Sequence, residues 1–246
     1  MIERIEGIVT DIVKHTDRHN VVTMYTRSRG RMAFLVPVGR SKSGRMRNAV
    51  ISYLSIVGAD VNLRGGKEIY TLRQVQPLRL WPGVNSHPVK ASLLFFLTEF
   101  CNKILRQYPA DSRLWDYIAN SLEVLEAIPG RYIANFHLCF LIGMMSLVGI
   151  EPAARTWSEG MQLDLLSGRM ESKENPSFLR RTELLSEEES SFIPLLLRMN
   201  YRNMHYFRFR KRDRVSLLNY IIKYYSIHLP IGTEFKTIDV LTDLFD

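Results

Sequence analysis

Arginine and lysine recur in this chain where a polyanion can be met. Arg27, Arg29 and Arg31 alternate with Ser28 and Gly30. A few residues on, Arg40, Lys42, Arg45 and Arg47 are interleaved with serine and glycine. Cationic side chains on small-residue loops can track a phosphate backbone, and Gly and Ser leave backbone N–H groups open to the same oxygens. These seven residues are the first candidate binding set. The charge balance of the whole chain points the same way. Residues 1–80 hold 14 Lys+Arg against 6 Asp+Glu, whereas residues 81–246 hold 19 of each, so the net +8 belongs to the first third. From residue 18 to residue 59 there are eight basic residues and no acid. A segregated charge of this kind marks one module as the partner of a polyanion.

A second basic stretch spans residues 202–214. Arg202, His205, Arg208, Arg210, Lys211, Arg212 and Arg214 interleave there with Tyr206, Phe207 and Phe209, against the single acid Asp213. Two readings stand open. The segment is a nucleic-acid contact with stacking rings, or a connector that buries its phenylalanines and shows its arginines to water or to an acidic peptide. Tyr25 and Phe34, near the first set, are open in the same way between base stacking and core packing.

Catalytic patterns are absent from the sequence. There is no phosphate-binding Walker run, no strand-anchored G-x-G-x-x-G, no H-E-x-x-H and no G-x-S-x-G. Lys42 between Gly39 and Gly44 lacks the Gly-Lys-Ser/Thr that a phosphate loop needs. His15 and His19 flank Asp17 on a hydrophilic turn, which reads as solvated. His137, inside the most apolar segment, reads as a core histidine with its polar atoms satisfied. The basic module has no Asp/Glu cluster to hold a nuclease metal. Cys101 and Cys139 form neither a disulfide framework nor a metal cluster, which fits a reducing cytoplasm. No catalytic residue, metal or cofactor is therefore expected. The N-terminus has no export signal. Residues 132–150 lack charge, but Asn135, His137 and Ser146 argue for a buried helix over a membrane span.

The elements that must position these residues change character near residue 80. Ile5, Gly7, Val9 and Val13 alternate with polar positions, residues 21–26 are β-branched, and Met32, Phe34 and Val36 alternate in a third strand. The arginine tip at residues 27–31 is a hairpin, with Gly30 available for positive φ. Residues 51–57 and 68–72 read as two further strands, joined through a turn at residues 64–67. Five short strands without a long helix predict a small closed barrel, an OB-fold first and an SH3-like barrel second. Pro77, Pro82, Gly83 and Pro88 read as a linker. Helical periodicity follows: residues 93–108, a helix capped by Asp111, residues 131–148, a helix opening at Ser186, one from Arg214, and a last one capped by Thr233. Residues 151–185 read as irregular. The predicted class is α+β, with an N-terminal OB-fold domain over 1–80 and an all-α domain over 81–246.

The order of several short motifs resembles the bacterial RecO family of DNA repair proteins across the full length. They are Ile5-Glu6-Gly7-Ile8-Val9, Arg27-Ser28-Arg29-Gly30, Gly39-Arg40-Ser41-Lys42-Ser43, Tyr224-Tyr225-Ser226-Ile227-His228-Leu229, and the segment from Phe235 through Lys236-Thr237 to Leu241. The resemblance implies a recombination mediator that binds single- and double-stranded DNA through its OB domain and anneals complementary strands. It implies RecR, RecF and the C-terminal tail of single-strand-binding protein (SSB) as partners in loading RecA, with no membrane involved. DNA binding would fall on Arg27, Arg29, Arg31, Arg40, Lys42, Arg45 and Arg47, with a second patch at Arg202, Arg208, Arg210, Lys211 and Arg212. A cytoplasmic, nucleoid-associated location follows. Some members carry a four-cysteine zinc module in the helical domain; residues 156–177 here contain no cysteine and lack those ligands. From the residues alone, an RNA-binding OB protein and an adaptor docking acidic proteins remain alternatives.

Overall fold

The computed structural model describes residues 2–39, 44, 48–63, 68–106, 108–175 and 182–243. The chain forms two compact units, residues 1–128 with the segment returning from Phe235, and residues 129–234.

The first unit is built on five strands: β1 (Ile2–Lys14), β2 (His19–Thr26), β3 (Gly30–Pro37), β4 (Ile56–Asn62) and β5 (Ile69–Arg79). They close in the order β1-β2-β3-β5-β4, with β3 and β5 the parallel pair. This is the expected OB-like barrel, and closure removes the unpaired edges that five short strands would otherwise expose. Ile5, Val9, Val22, Met24, Phe34, Val57 and Val61 fill it. The predicted alternation in β1 holds only to Val9. A bulge there pairs Val9 with Met24 and Asp11 with Thr23, leaving Thr10 as the extra residue. A bulge flips the faces that follow it, so Ile12 packs on the core and Val13 is left 52% exposed.

The fourth strand starts later than expected. Residues 52–55 form a turn in which Leu54 takes φ +55, held by Leu54 N–H to Val9 O and Val9 N–H to Ser55 O. The Trp81 indole donates to Leu54 O at 2.8 Å. The expected proline linker is also ordered. Pro77 lies in β5, while Pro82 and Pro88 open α1 (Pro82–Ser86) and α2 (Pro88–Ile104). Proline suits a first helical turn, where its missing N–H has no intrahelical partner to lose. The N-terminus of α1 gives its Gly83 and Val84 N–H groups to the Glu126 carboxylate at 2.7 and 2.8 Å. Glu126 lies in α3 (Ser112–Ala127), whose N-cap is the predicted Asp111.

The chain end returns to this unit. Phe235 packs against Phe96 and Phe100, and Glu99 accepts the N–H groups of Lys236 and Thr237, both at 3.0 Å. The last described helix therefore begins at Ile238, after Thr237, rather than after Thr233.

The second unit holds α4 (Phe136–Leu147), α5 (Glu187–Arg198) and α6 (Lys211–His228). Ser186 and Glu189 make a reciprocal capping box on α5. The expected helix over 131–148 starts as a separate 3-10 turn, Gly130–Tyr132, and α6 opens at Lys211 instead of Arg214. Residues 151–185 are not irregular throughout: β6 (Met161–Asp164) and β7 (Arg169–Ser172) form a hairpin whose turn uses Gly168 at φ +66. No helix among the described residues is long and apolar enough to cross a membrane.

Candidate nucleic-acid interface

The strands β2 and β3 run side by side, with Thr26 opposite Gly30 at one end and His19 opposite Pro37 at the other. The seven steps between the eight residues of β2, at ~3.4 Å each, put those ends about 24 Å apart. Of the predicted basic set, Arg27, Arg29 and Arg31 lie at the hairpin end.

At the hairpin end the arginines are engaged inside the unit. Arg27 Nη2 lies 2.8 Å from Asp116, Arg27 Nη1 3.9 Å from Glu6, and its guanidinium sits 4.7 Å over the Trp115 ring. Arg29 grips Glu3 with both forks, at 2.6 and 3.1 Å. That hydrogen-bonded pairing holds the Glu3 carboxyl below its usual range. Gly30, at φ +67, lets the tip approach the α2–α3 connection; a Cβ there would stand 2.9 Å from the Ala110 nitrogen. The Tyr25 hydroxyl donates to Pro109 O at 2.7 Å and accepts the Asp111 N–H at 3.0 Å. Tyr25 and Phe34 are fully buried, so neither stacks a base. Arg31 differs from its neighbours. It is exposed on β3, and no partner for its side chain occurs among the described residues.

The turn end is polar and unlocked. Thr16 Oγ1 accepts the Arg18 and His19 N–H groups, and Arg18 O accepts the Val38 N–H at 2.8 Å. The exposed Arg18 side chain has no ion pair or hydrogen bond among the described residues. Lys14 pairs with Asp17 at 2.8 Å, both highly exposed. The bond to Val38 sets Arg18 beside the point where the chain enters its Gly39–Arg40 step. Arg40, Lys42, Arg45 and Arg47 lie outside the described residues. Arg18 sits in a turn that reads as polar and solvated, but it opens the acid-free run, and that is the sequence signal for it. Arg73 is exposed on β5, where the sequence offers no comparable signal.

The sequence comparisons decide the family. The family model described as Recombination protein O N terminal matches residues 1–81, and Recombination protein O C terminal matches residues 86–234. DNA repair protein RecO of Phocaeicola vulgatus is 32% identical over 252 aligned residues, covering 100% of both chains. The chain belongs to the RecO family. Its similarity extends to DNA repair protein RecO of Bacteroides fragilis, 29% identical over 100% of both chains, and of Christiangramia forsetii, 22% over the same coverage. This is a family of DNA repair and recombination, and the barrel followed by helices is its arrangement here.

Within this RecO-family chain, the second basic stretch is an ordered segment. Met204–Tyr206 is a 3-10 turn, Phe209 is buried, and Arg202, Arg208 and Arg210 are exposed. Lys211 begins α6, Arg212 lies 3.4 Å from Asp213, and Arg214 donates to Phe209 O at 2.6 Å. His137 lies in the core as expected, 1% exposed, but the expectation that its polar atoms are all satisfied is not met, since Nδ1 makes no hydrogen bond among the described residues; burial and then the Arg214 charge pull it down to about 3. The residues present do not fit a thiolate zinc site. Both cysteines are buried, and burial pushes their thiols up, Cys139 to about 12. No group of three His, Cys, Asp or Glu able to hold a metal occurs among the described residues.

Proposed function

We propose that this chain is a DNA-binding recombination mediator. Its barrel binds single- and double-stranded DNA at the turn end, through Arg18 together with Arg40, Lys42, Arg45 and Arg47, while Arg31 and Arg73 extend the contact along the outer face. The observation that carries the reading is the family match across both parts of the chain. Arg18, without a side-chain partner among the described residues and first in an acid-free run, supports the choice of end. We assign residues 1–80 as the nucleic-acid-binding OB-fold domain and residues 81–246 as the α-helical domain, which receives partner proteins. The chemistry is charge neutralisation without a covalent step. Two phosphate backbones are drawn onto one basic surface, their repulsion falls, and complementary strands anneal and leave as duplex. In this reading the protein works in the cytoplasm on the nucleoid, with RecR and RecF. It receives the acidic C-terminal tail of SSB on its helical part and helps load RecA on SSB-coated strands.

Fluorescence anisotropy of a labelled single strand against salt concentration tests the binding step, run beside an Arg18→Glu/Arg40→Glu/Arg45→Glu variant. The expected result is tight binding that weakens steeply with salt and collapses in the variant. Unchanged binding in the variant would remove the barrel turn as the site. A clear preference for RNA of matched sequence would favour an RNA protein instead. Annealing of complementary strands with SSB, with and without RecR, then tests the mediator step.

A further inference from the structure

The second unit carries a surface that the barrel reading leaves unused. Residues 127–150 and 190–212 contain no Asp or Glu, and the fold brings ring-bearing residues of both stretches together. The Arg131 guanidinium lies 4.8 Å over the Tyr132 ring. Tyr132 meets His205 at 5.1 Å between ring centres, and His205 meets Tyr206 at 3.9 Å. All four side chains are exposed, Tyr206 by 74%. Arg202 and Arg208 are exposed on the segment that carries His205 and Tyr206.

A single exposed ring is ordinary on a protein surface. A cation and three rings in series on a fixed base are not. Asn135, only 3% exposed, donates from Nδ2 to Met204 O at 2.9 Å and to Phe207 O at 2.7 Å, clamping the backbone under the rings. The Met204 side chain is fully buried beneath them. Asn203 accepts the Asn200 N–H at 2.7 Å and donates to Arg198 O at 3.1 Å, fixing the turn before them. Tyr201 stacks on Phe136 at 5.2 Å. The backbone that carries the rings is held in place before any ligand arrives, so little backbone ordering cost is left to binding.

We propose that Tyr132, His205 and Tyr206, flanked by Arg131, Arg202 and Arg208, form a base-stacking platform for single-stranded nucleic acid on the helical unit. Every base offers a π-face, so open rings bind strands of any sequence, and guanidinium groups at the margins meet the phosphates. A strand of nucleotides places a base on each of several rings in series and a phosphate beside each flanking guanidinium, whereas an acidic peptide with one terminal ring would use a single aromatic position. The proposal rests on the mediator reading for its choice of nucleic acid as the ligand class.

The test compares the full chain's affinity for an oligothymidylate with that for an abasic strand of the same length and charge. His205→Ala/Tyr206→Ala is expected to weaken oligothymidylate binding about 5- to 100-fold and to leave the abasic strand within about twofold. Tyr206→Phe keeps the ring and is expected to keep the base preference. Equal losses on both strands would overturn the platform, because the rings would then act through fold or charge. So would unchanged DNA binding with loss of a synthetic peptide of aspartates ending in phenylalanine. The barrel reading is separated by repeating the pair in Arg18→Glu. If that change leaves affinity intact while the ring variant abolishes base preference, the barrel site fails and the platform stands. If the parent chain holds both strands equally, the platform fails whatever the barrel does.

Discussion

The two ends of the β2–β3 ribbon carry the same residue type and put it to different uses. At the hairpin end, Arg27 and Arg29 are spent on Asp116, Glu6 and Glu3, and the tip is bolted to the α2–α3 connection through Tyr25. At the turn end, Arg18 is exposed beside the entry to a basic segment, and no carboxylate holds it among the described residues. Counting arginines therefore overstates a binding surface. An arginine already paired with a carboxylate offers a phosphate little net charge and must break its pair to bind. The hairpin end is part of what fixes the barrel in its unit; on the proposed function, the turn end is what remains for DNA.

The comparison breaks most visibly at Tyr25. Tyr25→Phe strands the Pro109 carbonyl and the Asp111 N–H. It is expected to cost about 1–3 kcal/mol of stability in chemical denaturation and to leave DNA affinity unchanged. A loss of DNA affinity at full stability would reverse the roles given to the two ends. Arg18→Glu is expected to do the opposite, weakening single-strand binding roughly tenfold at low salt with the melting temperature held, since its side chain makes no ion pair or hydrogen bond among the described residues. A clear fall in melting temperature would show that Arg18 is structural after all.

Smaller effects sharpen the contrast. Arg29→Gln is expected to change DNA affinity by less than about twofold, because its charge is already matched by Glu3; anisotropy under the same conditions checks this. The smallest effect is a pH dependence. The Glu3 carboxyl lies below its ordinary value of 4.5 in the folded chain, held there first by the Arg29 hydrogen bond. Its contribution is present above that ordinary value and is lost as pH falls through the lowered one. The difference in stability between the parent chain and Glu3→Gln is therefore expected at neutral pH and should fade in acid. Thermal melts across that range read it, and a difference that persists in acid would exclude the ion pair as its source.

Much of the architecture was legible because it depends on local periodicity. Alternation in Met32, Phe34 and Val36 named β3, Asp111 named the cap of α3, and Ser186 with its following acids named α5. The misplacements share a cause, a local signal overridden by a contact distant in sequence. Val13 lost its inward face to a bulge shared with β2. The apolar run at residues 51–57 was broken by a turn that Val9 and Trp81 hold in place. Thr233 was displaced as a cap because Glu99 captures the N–H groups of Lys236 and Thr237. The proline-rich stretch, read as a linker, places Pro82 and Pro88 where helices begin and Pro77 inside β5.

What the sequence determined by itself is the class and the segregation of charge: a barrel of short alternating strands, helices of clear period, and an acid-free basic run in the first third. These follow from composition and spacing, which every residue carries with it. Tertiary structure alone decided which arginines are left to act. Whether a guanidinium is free depends on what carboxylate the fold sets opposite it, and Glu3 and Arg29, or Arg27 and Asp116, are far apart along the chain. The same holds for Arg131, Tyr132, His205 and Tyr206, whose rings meet because the fold brings two distant segments together, with the Asn135 amide bonded to the Met204 and Phe207 carbonyls.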